Sequence, residues 1–214
     1  MCIIAVSARG KRQPSWDELQ QMFFNNPDGA GYMTARKGKV EISKGYMDWN
    51  DFAHALKFEN FGEKDPVVYH FRVSTQAGVQ PSMTHPFPLS THLPSTQLLD
   101  CSCPIGVAHN GIIRLTSDPT DKTYSDTAHY VAEYMAYLIR NKADMHNKTI
   151  LTAIERTTNS KWALMDGSGS IVTIGNFNEH KGVLFSNYTY TPTSYRDRGG
   201  VRWSYNTSRN SSEK

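Results

Sequence analysis

Strand signals in this chain come in adjacent groups, and helix signals stand apart from them. Residues 2–8 are β-branched and apolar and read as a buried strand. "SWDELQQMFFNN" follows, with Ser15 and Glu18 spaced as a capping box and Leu19, Met22 and Phe23 as an apolar stripe, so a helix is expected. Pro27-Asp28-Gly29 marks a turn. "AGYMTA" and "VEISKGY" make a hairpin closed near Lys37-Gly38-Lys39, "DWNDFAHALKF" has helical spacing behind Asp48, and "PVVYHFRV" is a strong strand. Five prolines between residues 79 and 104 predict a long irregular excursion. "IGVAHNGII" returns to strand character around a turn. "SDTAHYVAEYMAYLIRN" and "NKTILTAIERT" read as helices, "KWALMDGSGSIVTIGN" as a hairpin and "GVLFSN" as a last strand. The order is β, α, ββ, α, then β, αα, βββ. Neighbouring strands separated from paired helices predict an α+β layered domain, not a parallel doubly wound sheet.

The second constraint is chemical. Cys2 follows the initiator methionine, which is normally trimmed before a small residue. Trimming leaves an α-amine and a thiol on one residue. Their ordinary pKa values, about 7.7–8.0 and about 8.5, let a proton pass between them at little cost near neutral pH. Taken alone, Cys2 is more simply a small buried strand residue.

Four stretches set that reading aside when taken in order behind Cys2: "NNPDGAGYM", "HFRVSTQAG", "AHNGII" and "YSDTAH". With "THPF", "WALMDGSGSIVTIGNF" and "GVLFSN" they resemble the class-II glutamine amidotransferase domain of the N-terminal-nucleophile (Ntn) hydrolases, in the short stand-alone form carried by bacteria and phages. The similarity runs from Cys2 to about Asn187. It implies a four-layer αββα sandwich of two mainly antiparallel sheets with helices outside, a domain over 2–187, and a polar basic tail over 188–214. It also implies hydrolysis of the glutamine side-chain amide to glutamate and ammonia through a γ-glutamyl thioester, with no cofactor.

Arg72, by the same resemblance, is the clamp for the substrate α-carboxylate, a role its planar fork suits. Asp126 takes the α-ammonium, Thr75 and Gln76 lie against the substrate, and Asn110 with the Gly111 N–H forms the oxyanion hole behind Cys2. Two departures stand out. Gln76 replaces a histidine of the family pattern, which leaves room for γ-glutamyl amides larger than glutamine. Asn25-Asn26 replaces an Arg-Gly, which alters the surroundings of the nucleophile. His70 reads as a core residue at a strand end, and His109 as a support for Asn110. Without the joint order, Asn110-Gly111 would be a plain type I′ turn and Asp126 a helix cap. A non-catalytic binding module that kept the fold is the reading of another class, and it needs a blocked α-amine.

Net charge is +3, from 23 basic and 20 acidic residues. Five basic and two acidic residues from Pro192 onward account for that excess, so the body is neutral and does not suggest wrapping around nucleic acid. The tail mixes tyrosines and Trp203 with arginines, a composition that can stack on single strands but is more simply that of a flexible or partner-docking tail. The three cysteines, Cys2, Cys101 and Cys103, are too few and too oddly spaced for a disulfide framework or, with His85 and His92, for a standard zinc pattern. No apolar run approaches a membrane span and no signal peptide is recognisable, so a cytoplasmic enzyme is expected. An ammonia-producing chain without a receiving domain implies a separate synthase partner.

Overall fold

A computed structural model describes residues 2–74, 78–114 and 123–192. Two antiparallel sheets carry the fold. The larger sheet has the order β10-β11-β1-β4-β2-β3-β6, built from β1 (Ile3–Ser7), β2 (Ala30–Arg36), β3 (Lys39–Tyr46), β4 (Val67–Phe71), β6 (Asp100–Cys103), β10 (Asn178–His180) and β11 (Val183–Phe185). The smaller has the order β5-β7-β8-β9, from β5 (Phe87–Pro88), β7 (Ile105–Asn110), β8 (Lys161–Asp166) and β9 (Ile171–Ile174).

The period of two along β1 decides the layers. Ile3 and Ala5 face outward and pack with Tyr69 and Phe71 of β4 against Leu19, Met22 and Phe23 of α1 (Trp16–Asn25) and Phe52 of α2 (Trp49–Glu59). Ile4 and Val6 face inward and meet Ala108, Ala163 and Met165 of the smaller sheet. The far face of that sheet, with Val107, Trp162 and Leu164, packs on α3 (Asp126–Tyr130) and on Ile154 of α6 (Lys148–Thr158). The chain is therefore an α+β, four-layer αββα sandwich, as the sequence implies. A strand buried on both faces explains why residues 3–6 are apolar without alternation.

Local chemistry accounts for most boundaries. The Ser15–Glu18 capping box forms in both directions, and Arg12 grips the same Glu18 carboxylate at 2.7 and 2.9 Å. Lys37 and Gly38 both take positive φ, as a two-residue type I′ hairpin requires. The proline-rich excursion is less irregular than its composition suggests. It holds 3-10 turns at Pro81–Met83 and Leu93–Gln97 and the strands β5 and β6. Lys44, buried on β3, pins it by donating to the Ser82 and Thr96 carbonyls at 2.9 and 2.5 Å with its ammonium over the Phe87 ring.

Three elements differ from the sequence reading. The long helix after Asp126 is interrupted by a π-helical turn at Val131–Met135 before α4 (Ala136–Leu138), and a short α5 (Lys142–Met145) follows. The last strand is a hairpin, β10–β11. Packing also continues past Asn187, where the tail was placed. The Tyr190 ring stacks on Phe185 with centroids 3.9 Å apart, and Asn25 donates to the Thr189 carbonyl. Residues 193–214 lie outside the described residues. No described helix is long and apolar enough to cross a membrane.

Candidate active site

The antiparallel pairing of β1 with β4 matches Ile3 with Phe71, so Cys2 arrives beside Arg72 and Val73. The Val73 N–H donates to Cys2 Sγ at 3.4 Å, and the thiol faces the Val73 carbonyl at 3.6 Å. The Cys2 carbonyl accepts from Asn187 Nδ2 at 2.7 Å. Both sides of the residue are thus tied to backbone or side chain, while the residue as a whole is half-buried. Burial pushes the thiol up, and the Val73 N–H and the Arg72 charge pull against that rise without cancelling it. The group is a thiol at neutral pH, so it could act as a nucleophile only after a base took its proton.

Arg72 lies just past the end of β4 and is buried. Its backbone is clasped by residues 28 and 29: the Arg72 N–H donates to the Gly29 carbonyl at 2.8 Å, and the Arg72 carbonyl accepts from the Asp28 N–H at 3.0 Å. Asp28 also accepts from the Ser74 N–H at 2.7 Å. One guanidinium nitrogen, Nη2, donates to Ser74 Oγ and the Gly78 carbonyl at 3.2 and 3.3 Å. The other, Nη1, is buried with no hydrogen-bond partner among the described residues. Burial disfavours the charge, while Cys2 when ionised, Asp28 and Asp126 lie close enough to favour it. A buried charged donor left open is costly, and it is paired when a carboxylate arrives.

Asn110 ends β7 and is buried, on the strand face shared with Ala108 that looks toward β1. Its Nδ2 lies 2.9 Å from Ser186 Oγ, and its Oδ1 is buried with no partner among the described residues. No type I′ hairpin forms here, because β7 pairs with β5 and β8 and Gly111 does not take positive φ. Gly111 is needed for room instead. A Cβ at this position would sit 2.1 Å from Ser160 Oγ and 3.0 Å from His109 Nε2. Gly111→Ala should therefore cost about 1–3 kcal/mol through overpacking. A urea titration checks this, and a midpoint equal to wild type would count against the close approach.

Asp126 opens α3, but the cap is Ser125, whose hydroxyl accepts from the Ala128 N–H at 3.1 Å. The Asp126 carboxylate accepts from the Ile113 N–H at 2.7 Å and the Thr127 N–H at 2.8 Å, one on each oxygen. Oδ1 also faces the Thr127 hydroxyl at 3.4 Å, and Oδ2 keeps a further lone pair for a cation. Thr127 in turn holds His109 Nδ1 at 2.8 Å, which ties the start of α3 to the strand that ends at Asn110.

Behind these groups lie three buried histidines, His70, His85 and His109. His70 Nε2 and His85 Nδ1 both approach the His109 carbonyl, at 2.9 and 3.2 Å, and the His109 ring stacks on Trp162. Among the described residues no cluster of His, Cys, Asp and Glu is arranged to hold a metal. Burial pushes His70 and His109 down to about 3, and His85 well below its ordinary value. The folded protein keeps all three neutral, while the unfolded chain protonates them near pH 6.5. Stability should fall as pH drops from 6.5 toward 3, by about 1.4 kcal/mol per pH unit for each histidine. Urea unfolding at pH 6.5, 6 and 5 reads that slope, and constant stability over this window would contradict it.

The structure thus gathers Cys2, Arg72, Asn110, Gly111 and Asp126 at one end of the sandwich. Thr75 and Gln76 lie outside the described residues. The supports Asp28, Ser186 and Asn187 carry no sequence signal of their own, since Pro-Asp-Gly reads as a turn and "FSN" as a strand end. Asn25 and Asn26 do connect to Cys2: Asn25 donates to the Thr189 carbonyl, Asn26 donates to Thr189 Oγ1 at 3.0 Å, Thr189 donates to Asn187 Oδ1 at 2.8 Å, and Asn187 holds the Cys2 carbonyl.

No family model matches the chain, and no curated protein matches it. Among solved structures, the glutamine phosphoribosylpyrophosphate (PRPP) amidotransferase from B. subtilis, complexed with ADP and GMP, is similar at 13% identity and a TM-score of 0.47. The match covers 86% of this chain and 41% of that one, a likeness too distant to transfer residue roles.

Proposed function

We propose that this chain is a cysteine amidohydrolase that cleaves the side-chain amide of glutamine from Cys2. The observation that carries the reading is the open, buried guanidinium nitrogen of Arg72 beside the Cys2 thiol. Free glutamine presents an α-carboxylate, an α-ammonium and a neutral amide. Arg72 Nη1 pairs the first, the spare lone pair of Asp126 Oδ2 the second, and the amide carbon is left to the sulfur.

Once Met1 is removed, the α-amine of Cys2 takes the thiol proton and the sulfur attacks the δ-carbon. The carbonyl oxygen gains the negative charge and is held by the Gly111 N–H and the Asn110 amide. Collapse breaks the C–N bond, and the ammonium form of the amine returns the proton to the departing ammonia. A γ-glutamyl thioester remains. Water, deprotonated by the same amine, releases glutamate and restores the thiol.

The test is direct. Purified protein lacking Met1 is incubated with glutamine and glutamate is measured. Absence of glutamate from wild type, or equal amounts from Cys2→Ala, removes the proposal. The ammonia acceptor is proposed to be a separate synthase. With amide-labelled ¹⁵N-glutamine in an extract of the producing cells, label should enter an aminated product ahead of the bulk ammonium. Label found only as ammonium would leave the chain a simple glutaminase.

A further inference from the structure

Ser186 lies just beyond β11 and is completely buried. It grips the nucleophile's strand in both directions: its N–H donates to the Ile4 carbonyl at 2.9 Å, and its Oγ accepts the Ile4 N–H at 2.9 Å. The same Oγ is the atom 2.9 Å from the Asn110 amide. Lys161, which pairs with Asn110 across β7–β8, donates to the Ser186 carbonyl and holds the residue from its other side.

Proton bookkeeping separates two orientations of the Asn110 amide, whose nitrogen and oxygen are told apart by their partners. With the nitrogen on Ser186, the hydroxyl oxygen receives two N–H donors and its own proton meets neither. The Asn110 carbonyl oxygen is then buried without a donor among the described residues. With the amide turned over, the Ser186 hydroxyl donates to the Asn110 carbonyl while still accepting from Ile4. The two N–H groups then take the open position. The first orientation strands an acceptor and a hydroxyl proton. The second leaves only donors open, and open donors are what a developing oxyanion needs.

We propose that Ser186 is a positioning residue. It holds the Asn110 carbonyl so that the N–H₂ group faces the reacting carbonyl, and its two hydrogen bonds to Ile4 keep that amide in step with the strand that carries Cys2. The proposal deepens the amidohydrolase reading above and rests on it.

The experiment is a double-mutant cycle in the full chain. Ser186→Ala should lower kcat for glutamine by about 10- to 100-fold and leave KM within about threefold, since the amide loses only its orientation. Asn110→Ala should cost about 10²–10³ in kcat. The double variant should be no slower than Asn110→Ala, because nothing remains for Ser186 to orient. The rate of Cys2 alkylation by iodoacetamide should not change in Ser186→Ala. Ser186→Cys, similar in volume and a weak donor, serves if the alanine protein does not fold. Losses that multiply in the double variant, or a kcat within twofold of wild type for Ser186→Ala, overturn the proposal. A second readout does not depend on turnover. The Asn110 side-chain NH₂ pair in a ¹⁵N–¹H spectrum, assigned by its loss in Asn110→Ala, should move in Ser186→Ala, and an unmoved pair overturns the proposal. A wild type that never hydrolyses glutamine removes the amidohydrolase reading instead, while the spectrum still reports on the Ser186–Asn110 bond.

Discussion

Cys2→Ala should hydrolyse glutamine about 10⁴- to 10⁶-fold more slowly than wild type, the scale at which removal of a nucleophile disables a covalent mechanism. Its fold should survive. Cys2 precedes β1, is half-buried, and gives the framework only long sulfur contacts to Val73, while its carbonyl bond to Asn187 is independent of the side chain. A melting temperature near that of wild type, together with lost turnover, is the expected pair. Protein with Met1 retained gives the complementary result. The thiol is intact there, but the amine beside it is acylated and cannot take a proton. Since burial holds the thiol protonated at neutral pH, that protein should be nearly as inactive as Cys2→Ala while still reacting with iodoacetamide at high pH. Intact mass identifies the two forms. Full turnover by the Met1-retaining form would show that another base serves the thiol, and a naturally retained Met1 in cells would favour a binding module.

What was legible in the sequence was legible for local reasons. The capping box at Ser15 and the left-handed turn at Lys37-Gly38 need only a few neighbouring residues, and both form as read. The apolar run at 3–6 announces a buried strand, and the grouping of strands announces layers. The strand β10 was missed because Asn178, Glu179 and His180 have no apolar pattern; they pair only because β11 lies beside them. The π-helical turn after α3 leaves the helical spacing of "SDTAHYVAEYMAYLIRN" nearly intact and so is hidden. Asn110-Gly111 shows the limit from the other side. A turn and a close approach both favour glycine, and only Ser160, distant in sequence, decides between them.

The same division holds for the site. The residues proposed to meet a substrate have chemically distinctive side chains, and Cys2, Arg72, Asn110 and Asp126 stand out by order. The groups that hold them in place are common polar residues, such as Ser186 and Asn187, whose work depends on partners more than 70 residues away. Long-range hydrogen bonds of that kind have no local pattern. Asn26 shows the same: its departure from the family pattern predicts altered surroundings for Cys2, and only the fold reveals how, through the Thr189–Asn187 chain that ends there.

Arg72 offers the sharper test of substrate class, because its effect should appear in binding. Arg72→Ala removes the guanidinium that waits with one nitrogen open, so kcat/KM for glutamine should fall by about 10²–10³, mostly through KM, the cost of a charged hydrogen-bonded pair lost from a buried site. Arg72→Lys should recover little. A lysine places one point charge where Arg72 both braces Ser74 and Gly78 through Nη2 and presents Nη1 to the substrate, and a single ammonium cannot divide itself that way. The substrate can be cut to match. The amide of 4-aminobutyrate is glutamine without its α-carboxylate. It should be as poor a substrate for wild type as glutamine is for Arg72→Ala, and the substitution should leave its kcat/KM nearly unchanged. If Arg72→Ala instead penalises both compounds equally, the guanidinium acts on Cys2 or on the loop and not on a carboxylate. If KM for glutamine stays within about threefold, the clamp is elsewhere and a free amino acid is the wrong substrate class. The open nitrogen would then need another anion to explain its burial.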